Sequence, residues 1–176
     1  LGMRASGSNS VKVDKQFVPA HYVTPANGMW ALPETMKDGT PGTRLHGNPM
    51  YLGRVMGPYH MSLVTPTRGA AQAALDEFEQ IVKTRPTLFP PVIPRYQFID
   101  FQRAYGQATA LTDASEGILM SAGHKYMYFC RRWAKDGTPI ALEDNIGLWS
   151  MLQHAGRLAG EAMDVIHSMS SSAATK

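Results

Sequence analysis

Between residues 96 and 133 the apolar and small positions recur at alternating steps of three and four: Phe98, Phe101, Tyr105, Ala108, Thr112, Ser115, Leu119, Ala122, Tyr126, Phe129 and Trp133. That spacing keeps one stripe of a helix facing the same way for about ten turns. No proline interrupts it, and Gly106, Gly117 and Gly123 cost at most ~1 kcal/mol each in a helix interior. Large residues fill both ends of the stripe and small ones its middle, so another backbone is expected to come close between Ala108 and Ser115. The pattern predicts the central member of a helical bundle. A coiled coil is disfavoured, because Thr112 and Ser115 would weaken the centre of its seam.

Two further helical patterns flank the first. Over 50–85, Ala70, Ala71, Ala74, Leu75, Phe78, Ile81 and Val82 form one face, with Asp76, Glu77, Gln80 and Lys83 opposite. Pro66 removes an amide and clashes with the preceding turn, which predicts a break or kink near 63–66. Pro86 ends this helix, and Pro90, Pro91 and Pro94 lead into the central one. After the turn Lys135-Asp136-Gly137, Thr138 is placed to cap a third helix with Pro139 at its first position. Its inward residues are expected to be Leu142, Ile146, Trp149, Leu152, Ala155, Ala159, Ala162 and Ile166. Ala155, Gly156, Ala159 and Gly160 make a shallow ridge suited to the small centre of the second helix. The three helices are expected near 58–84, 95–133 and 138–169, antiparallel in sequence order.

Ahead of the helices the period changes. Val11, Val13, Phe17 and Val18 set off a short strand pattern that stops at Pro19, which lacks an amide donor. One or two strands do not make a sheet alone, so this segment either completes a sheet from elsewhere or packs on the helices. Residues 24–49 are dense in Pro, Gly and Asn-Gly or Asp-Gly pairs and read as a connection, long for a compact domain. The fold class is therefore mainly α, an antiparallel up-down helical bundle with a short N-terminal β remnant. The expected division is 1–23 (end of a β-domain), 24–49 (connecting loop) and 50–176 (helical domain). Beginning without Met and ending after a serine run, the chain reads as a piece of a longer protein.

Composition narrows the classes. An apolar fraction of 44% in 176 residues is enough for a real core. The formal charge of +3 is not gathered into any Lys/Arg cluster, so nucleic acid is not expected as a partner. Cys130 is the single cysteine, which excludes a disulfide framework and points to a reducing, cytoplasmic setting. No apolar run approaches the ~18 residues of a membrane span. The histidines (21, 46, 60, 124, 154 and 167) have no i,i+4 pairing and no Cys or carboxylate at ligand spacing, so no metal site is expected. The glycines of GMRASGS at 2–8 precede a strand pattern rather than a helix, which argues for a turn over a phosphate loop. Asp76, Glu77 and Glu79 read as solvated charges on a helix face, and no Ser/His/Asp arrangement is supported.

Three stretches together carry a resemblance. LGMRASGSNSVKVDKQFVPAHYV at 1–23 resembles the G-M-R-x-[TS]-G-S-x-x-V-x-V-x-x-x-F-V-P-x-H segment that ends the β-domain of flavin-dependent monooxygenases with the acyl-CoA dehydrogenase fold. GAAQAALDEF at 69–78 resembles the first helix of their C-terminal helical domain. DVIHSMSSSA at 164–173 resembles a stretch near its end, written D-x-x-x-x-x-G-S-S-A, with Ser170 standing where the family has glycine. The resemblance implies the oxygenase component of a two-component system. Such a component takes reduced FMN or FAD from a separate flavin reductase and uses oxygen to hydroxylate an aromatic or related small substrate, as a homotetramer.

It also implies that Arg85 reaches the flavin phosphate of a neighbouring subunit, for which a guanidinium is chemically suited. A helix-terminal arginine facing the dipole remains the other reading of the same residue. Ser171 and Ser172 match the serine pair that approaches the flavin, while Arg4, Ser6 and Ser8 match the first motif in structural roles. The catalytic residues are expected outside this chain. Two alternatives stay open: an acyl-CoA dehydrogenase, against which RPTLF at 85–89 departs from the expected R-x-x-F-G, and a non-catalytic helical oligomerisation module.

Overall fold

The structure, a computed structural model, describes residues 9–23, 41–53 and 56–170. Its helices are α1 (Pro41–His46), α2 (Met56–Thr84), α3 (Ile99–Asp136) and α4 (Leu142–Met169), with single 3-10 turns at Ala20–Tyr22, Pro49–Leu52 and Arg95–Gln97. The three long helices form the bundle, and two clusters of side chains give their directions. At one end Leu75, Phe78 and Val82 of α2 meet Ala104 and Ala108 of α3 and Ile166 of α4. At the other, Tyr126, Phe129 and Cys130 of α3 meet Leu148 and Leu152 of α4, with Met61 and Val64 of α2 against them. The start of α3 therefore lies beside the ends of α2 and α4. That is the antiparallel up-down order the helix spacing predicts.

The middle is held differently. Ala108, Thr112 and Ser115 of α3 and Ala155, Ala159 and Ala162 of α4 are all fully buried. Side chains this small let two backbones approach, and the Ser115 hydroxyl donates to the Ala155 carbonyl at 2.8 Å. Thr112 turns its hydroxyl back to the Ala108 carbonyl of its own helix at 2.9 Å. Both buried hydroxyls are thus satisfied, as burial requires.

Several expectations need correction. Leu119 is only half-buried, at the edge of its cluster, whereas Cys130, one position off the stripe, is fully enclosed. Helix α2 runs through Pro66 without a break. Pro66 is exposed, so its ring and the amide it deletes face water rather than the core. Helix α4 begins at Leu142, not near Thr138. The Thr138 amide instead takes the Asp136 carboxylate at 2.9 Å, and Ile140 plugs the core. The start of α4 is covered by Asp144, whose carboxylate accepts from the Ala141 amide at 3.3 Å and from Arg132 at 2.9 Å. That start also fixes the inward face as Asn145, Leu148 and Leu152, leaving Leu142 and Ile146 exposed. The turn out of α3 uses Gly137 in the left-handed region (φ 75°), its amide bonded to the Trp133 carbonyl at 2.9 Å.

The predicted β remnant forms no strand among the described residues. Val11, Val13 and Phe17 are exposed, and no sheet or helix face among the described residues receives them. The second half of the predicted connecting loop is ordered instead. Helix α1 and the 49–52 turn lie together, His46 stacking on Tyr51 at 5.2 Å. The turn is fastened to α3 by the Tyr126 hydroxyl, which donates to the Met50 carbonyl at 3.1 Å. A Cβ at Gly53 would overlap that tyrosine ring, which explains a glycine there.

Candidate functional site

The end of the bundle opposite Tyr126 carries the candidate site. Helix α2 stops at Thr84, and the proline-rich segment that follows folds back on itself. The Thr87 amide donates to the Ile93 carbonyl at 2.9 Å and the Arg95 amide to the Arg85 carbonyl at 3.1 Å. The Thr87 hydroxyl accepts from the Ile93 amide at 3.1 Å and donates to the Pro91 carbonyl at 2.7 Å, closing the loop across a cis Pro90-Pro91 bond. Prolines supply no amides here, so the few remaining donors make the cross-links.

This strap presents Arg95. It is only 4% exposed, although arginine is rarely buried without a partner. Its Nε donates to the Pro86 carbonyl at 3.0 Å, and its guanidinium lies 5.0 Å from the centre of the Phe101 ring. Burial first, and the neighbouring positive charge of Arg85 second, lower the pKa of Arg95 from its ordinary value. A guanidinium keeps its proton at neutral pH all the same. Among the described residues no carboxylate pairs with Arg85 or Arg95.

Arg95 lines a cavity of about 290 Å³ with Thr87, Leu88 and Phe89 of the strap, Phe98 and Phe101 at the start of α3, and Ser168 and Met169 at the end of α4. Two helix termini and one loop thus converge, and the walls are mostly hydrocarbon and aromatic. Of the residues singled out in the sequence, Arg85 is exposed just past the end of α2 and does not line the cavity. Ser171 and Ser172 lie outside the described residues, as do Arg4, Ser6 and Ser8; Ser170, directly before the pair, lies on the cavity wall. Arg95 itself was missed. An arginine in a proline-rich connection reads as solvated, and the only sequence sign is Phe101 six positions on, in reach once the 3-10 turn folds.

The other candidates are unremarkable in place. No group of three or more His, Cys, Asp or Glu able to hold a metal occurs among the described residues. His154 contacts Arg157 at 3.1 Å on the surface of α4, and His60 packs on Trp149 with ring centres 4.8 Å apart. Asp76 accepts from Gln72 at 2.8 Å and Glu79 pairs with Lys83 at 2.5 Å, both along α2. Among the described residues no helix is long and apolar enough to cross a membrane.

Comparison with known proteins gives one informative similarity. Over 120 residues the chain is 36% identical to a pigment production hydroxylase from Rhodococcus sp. (strain ATCC 21145). The aligned part is 67% of this chain and 29% of that protein, so the chain spans under a third of its relative's length. No family model and no solved structure matches the chain.

Proposed function

We propose that this chain is the helical part of a hydroxylating enzyme, the oxygenase component of a two-component flavin-dependent monooxygenase. The observation that carries the hydroxylating class is the similarity to a hydroxylase over two thirds of the chain. The flavin and the separate reductase rest on the three resembling stretches, which occur in family order at 1–23, 69–78 and 164–173. The helical bundle agrees with the domain those stretches imply.

The residues present suit a phosphate-bearing flavin. The Arg85 guanidinium is exposed at one end of the bundle with no carboxylate pairing it among the described residues, and a guanidinium takes phosphate bidentately. In this reading Arg85, exposed and outside the cavity, reaches a neighbouring subunit's flavin phosphate, and the pair Ser171 and Ser172 approaches the flavin. When bound, reduced FMN or FAD supplies two electrons, so that one atom of O2 enters the substrate ring and the other leaves as water. The chain's own part is to hold the phosphate and keep water out. Phe98, Phe101 and Tyr105, half-buried at the start of α3, furnish apolar walls for that purpose. A homotetramer is supported by large apolar side chains left exposed on the long helices: Ile99, Met120 and Tyr128 on α3, Leu142 and Ile146 on α4.

The test uses the protein expressed from its complete coding sequence, with a flavin reductase, NADH and isotope-labelled O2, against a panel of small aromatic compounds. One labelled oxygen atom in a hydroxylated product is the expected result. Bleaching of bound flavin by an acyl-CoA thioester without air, with no labelled product from any aromatic, would replace this reading with a dehydrogenase.

A further inference from the structure

We infer that the cavity around Arg95 is a binding site for a small aromatic carboxylate, a site that stands on the cavity alone and is independent of the flavin reading. The argument starts from charge. A buried cation is costly unless it is paired, and Arg95 at 4% exposure meets no carboxylate among the described residues. Its neighbour Arg85 adds repulsion rather than relief. The C-terminal ends of α2 and α4 contribute partial negative charge, and the Pro86 carbonyl takes Nε. The two terminal nitrogens of the guanidinium have no hydrogen-bond partner among the described residues. They present the fork that matches one carboxylate.

The remaining polar groups decide between anions. Ser168 donates its hydroxyl proton to the Val165 carbonyl at 2.7 Å, Ser170 to the Ile166 carbonyl at 2.8 Å, and Thr87 to the Pro91 carbonyl at 2.7 Å. Each hydroxyl on the wall is thus already committed as a donor. A phosphate, with more oxygens and more charge, wants several donors; one guanidinium suits the two oxygens of a carboxylate. The body of the ligand follows from the rest of the lining, Leu88, Phe89, Phe98 and Met169 around Arg95 and Phe101. Phe101 lies under the guanidinium, 5.0 Å from its central carbon, and Phe89 and Phe98 line the same cavity as aromatic walls for a ring attached to the carboxylate. A volume of about 290 Å³ lies at the lower edge of the ~300–1,000 Å³ usual for ligand pockets, and it fits one ring with a short acid arm.

The probes are benzoate, its neutral amide benzamide, and inorganic phosphate, each titrated into the 176-residue chain by calorimetry and by NMR. Benzoate is expected to bind one to one with a Kd on the order of 1 mM, shifting the signals of Met169, Phe98 and Phe101. Benzamide and the variant Arg95→Gln are each expected to bind at least ~10-fold more weakly, the loss of a charge-assisted pair. Arg131→Gln, exposed at the far end of α3, is expected to change benzoate affinity less than ~3-fold. Should Arg95→Gln fail to fold, the ratio of benzoate to benzamide affinity in the wild-type chain carries the test by itself. Equal binding of benzoate and benzamide, signal shifts away from the cavity, or phosphate binding more tightly than benzoate would each overturn the assignment. None of these outcomes touches the labelled-oxygen test, so the two readings fail separately.

Discussion

Ser115 offers the sharpest test of how the bundle is held together. Its side chain is fully buried where α3 crosses α4, and its hydroxyl donates to the Ala155 carbonyl at 2.8 Å. Ser115→Ala removes that bond and nothing else of consequence, because the Ala155 carbonyl is also the acceptor for its own helix. A neutral hydrogen bond of this kind contributes about 1 kcal/mol net. Ser115→Leu loses the same bond and also forces roughly two extra heavy atoms between backbones that Ala108, Ala155 and Ala159 have brought together. Overpacking of that kind costs about 1–3 kcal/mol beyond the lost bond, so Ser115→Leu is expected at about 2–4 kcal/mol in total. Urea unfolding of the chain and both variants measures this, with the slope checked for constancy so that the midpoint reports stability. The reasoning fails if Ser115→Leu unfolds at the same urea concentration as Ser115→Ala. The crossing would then have room, and the small residues would not be setting its distance.

Three further outcomes follow from the packing. Leu152→Asp places a carboxylate in the closed core and is expected to cost more than ~4 kcal/mol, while Leu119→Asp at the cluster edge costs ~1–2 kcal/mol; melting curves with the reverse order would misplace α3. Gly53→Ala is expected to destabilise by about 1–3 kcal/mol by pushing Tyr126 off the 49–52 turn, seen as faster amide exchange at Tyr51 and Leu52. Burial pushes the Tyr126 phenol and the Cys130 thiol above their ordinary ranges. Both stay protonated in the fold while the unfolded chain ionises from about pH 8.5 for Cys and pH 10 for Tyr, so stability is level below that range and falls as pH rises through it. Tyr126→Phe removes one of these groups, and its urea midpoint is expected to decline less steeply between pH 9 and 11; an identical decline would mean the phenol titrates as if exposed.

What the sequence made legible was the part governed by periodicity. The stripe from Phe98 to Trp133 has small residues at its centre, and the close approach it implies is the Ser115–Ala155 contact. Boundaries and local faces were harder, because nearby side chains compete for them. Thr138 and Pro139 make a favourable cap on paper, yet Asp144 and Arg132 together stabilise a start at Leu142, and the inward face rotates with it. The strand pattern at 11–18 was real as a pattern, but a strand needs a partner and none is among the described residues. Arg95 was hidden for a related reason. Its importance comes from the burial made by a strap and two helix ends, which no local pattern encodes.

The two ends of the bundle differ in a way that locates the chemistry. Around Tyr126 the main polar groups meet partners inside the chain: the phenol on the Met50 carbonyl, an Arg132 terminal nitrogen on Asp144 and the Pro139 carbonyl, and the Gly137 amide on the Trp133 carbonyl. Around Arg95 the backbone is equally well tied, since Thr87, Ile93 and Arg85 cross-link the strap, but the charges are not. The Arg95 guanidinium lies over the Phe101 ring, the positive charge of Arg85 acts on it, and no carboxylate among the described residues pairs with either arginine. Holding like charges together costs energy that a rigid strap sustains only while the rest of the fold outweighs it. An unpaired, buried guanidinium beside an apolar cavity is the feature that the proposed aromatic carboxylate would answer, and the exposed Arg85 is the one that the proposed flavin phosphate would answer.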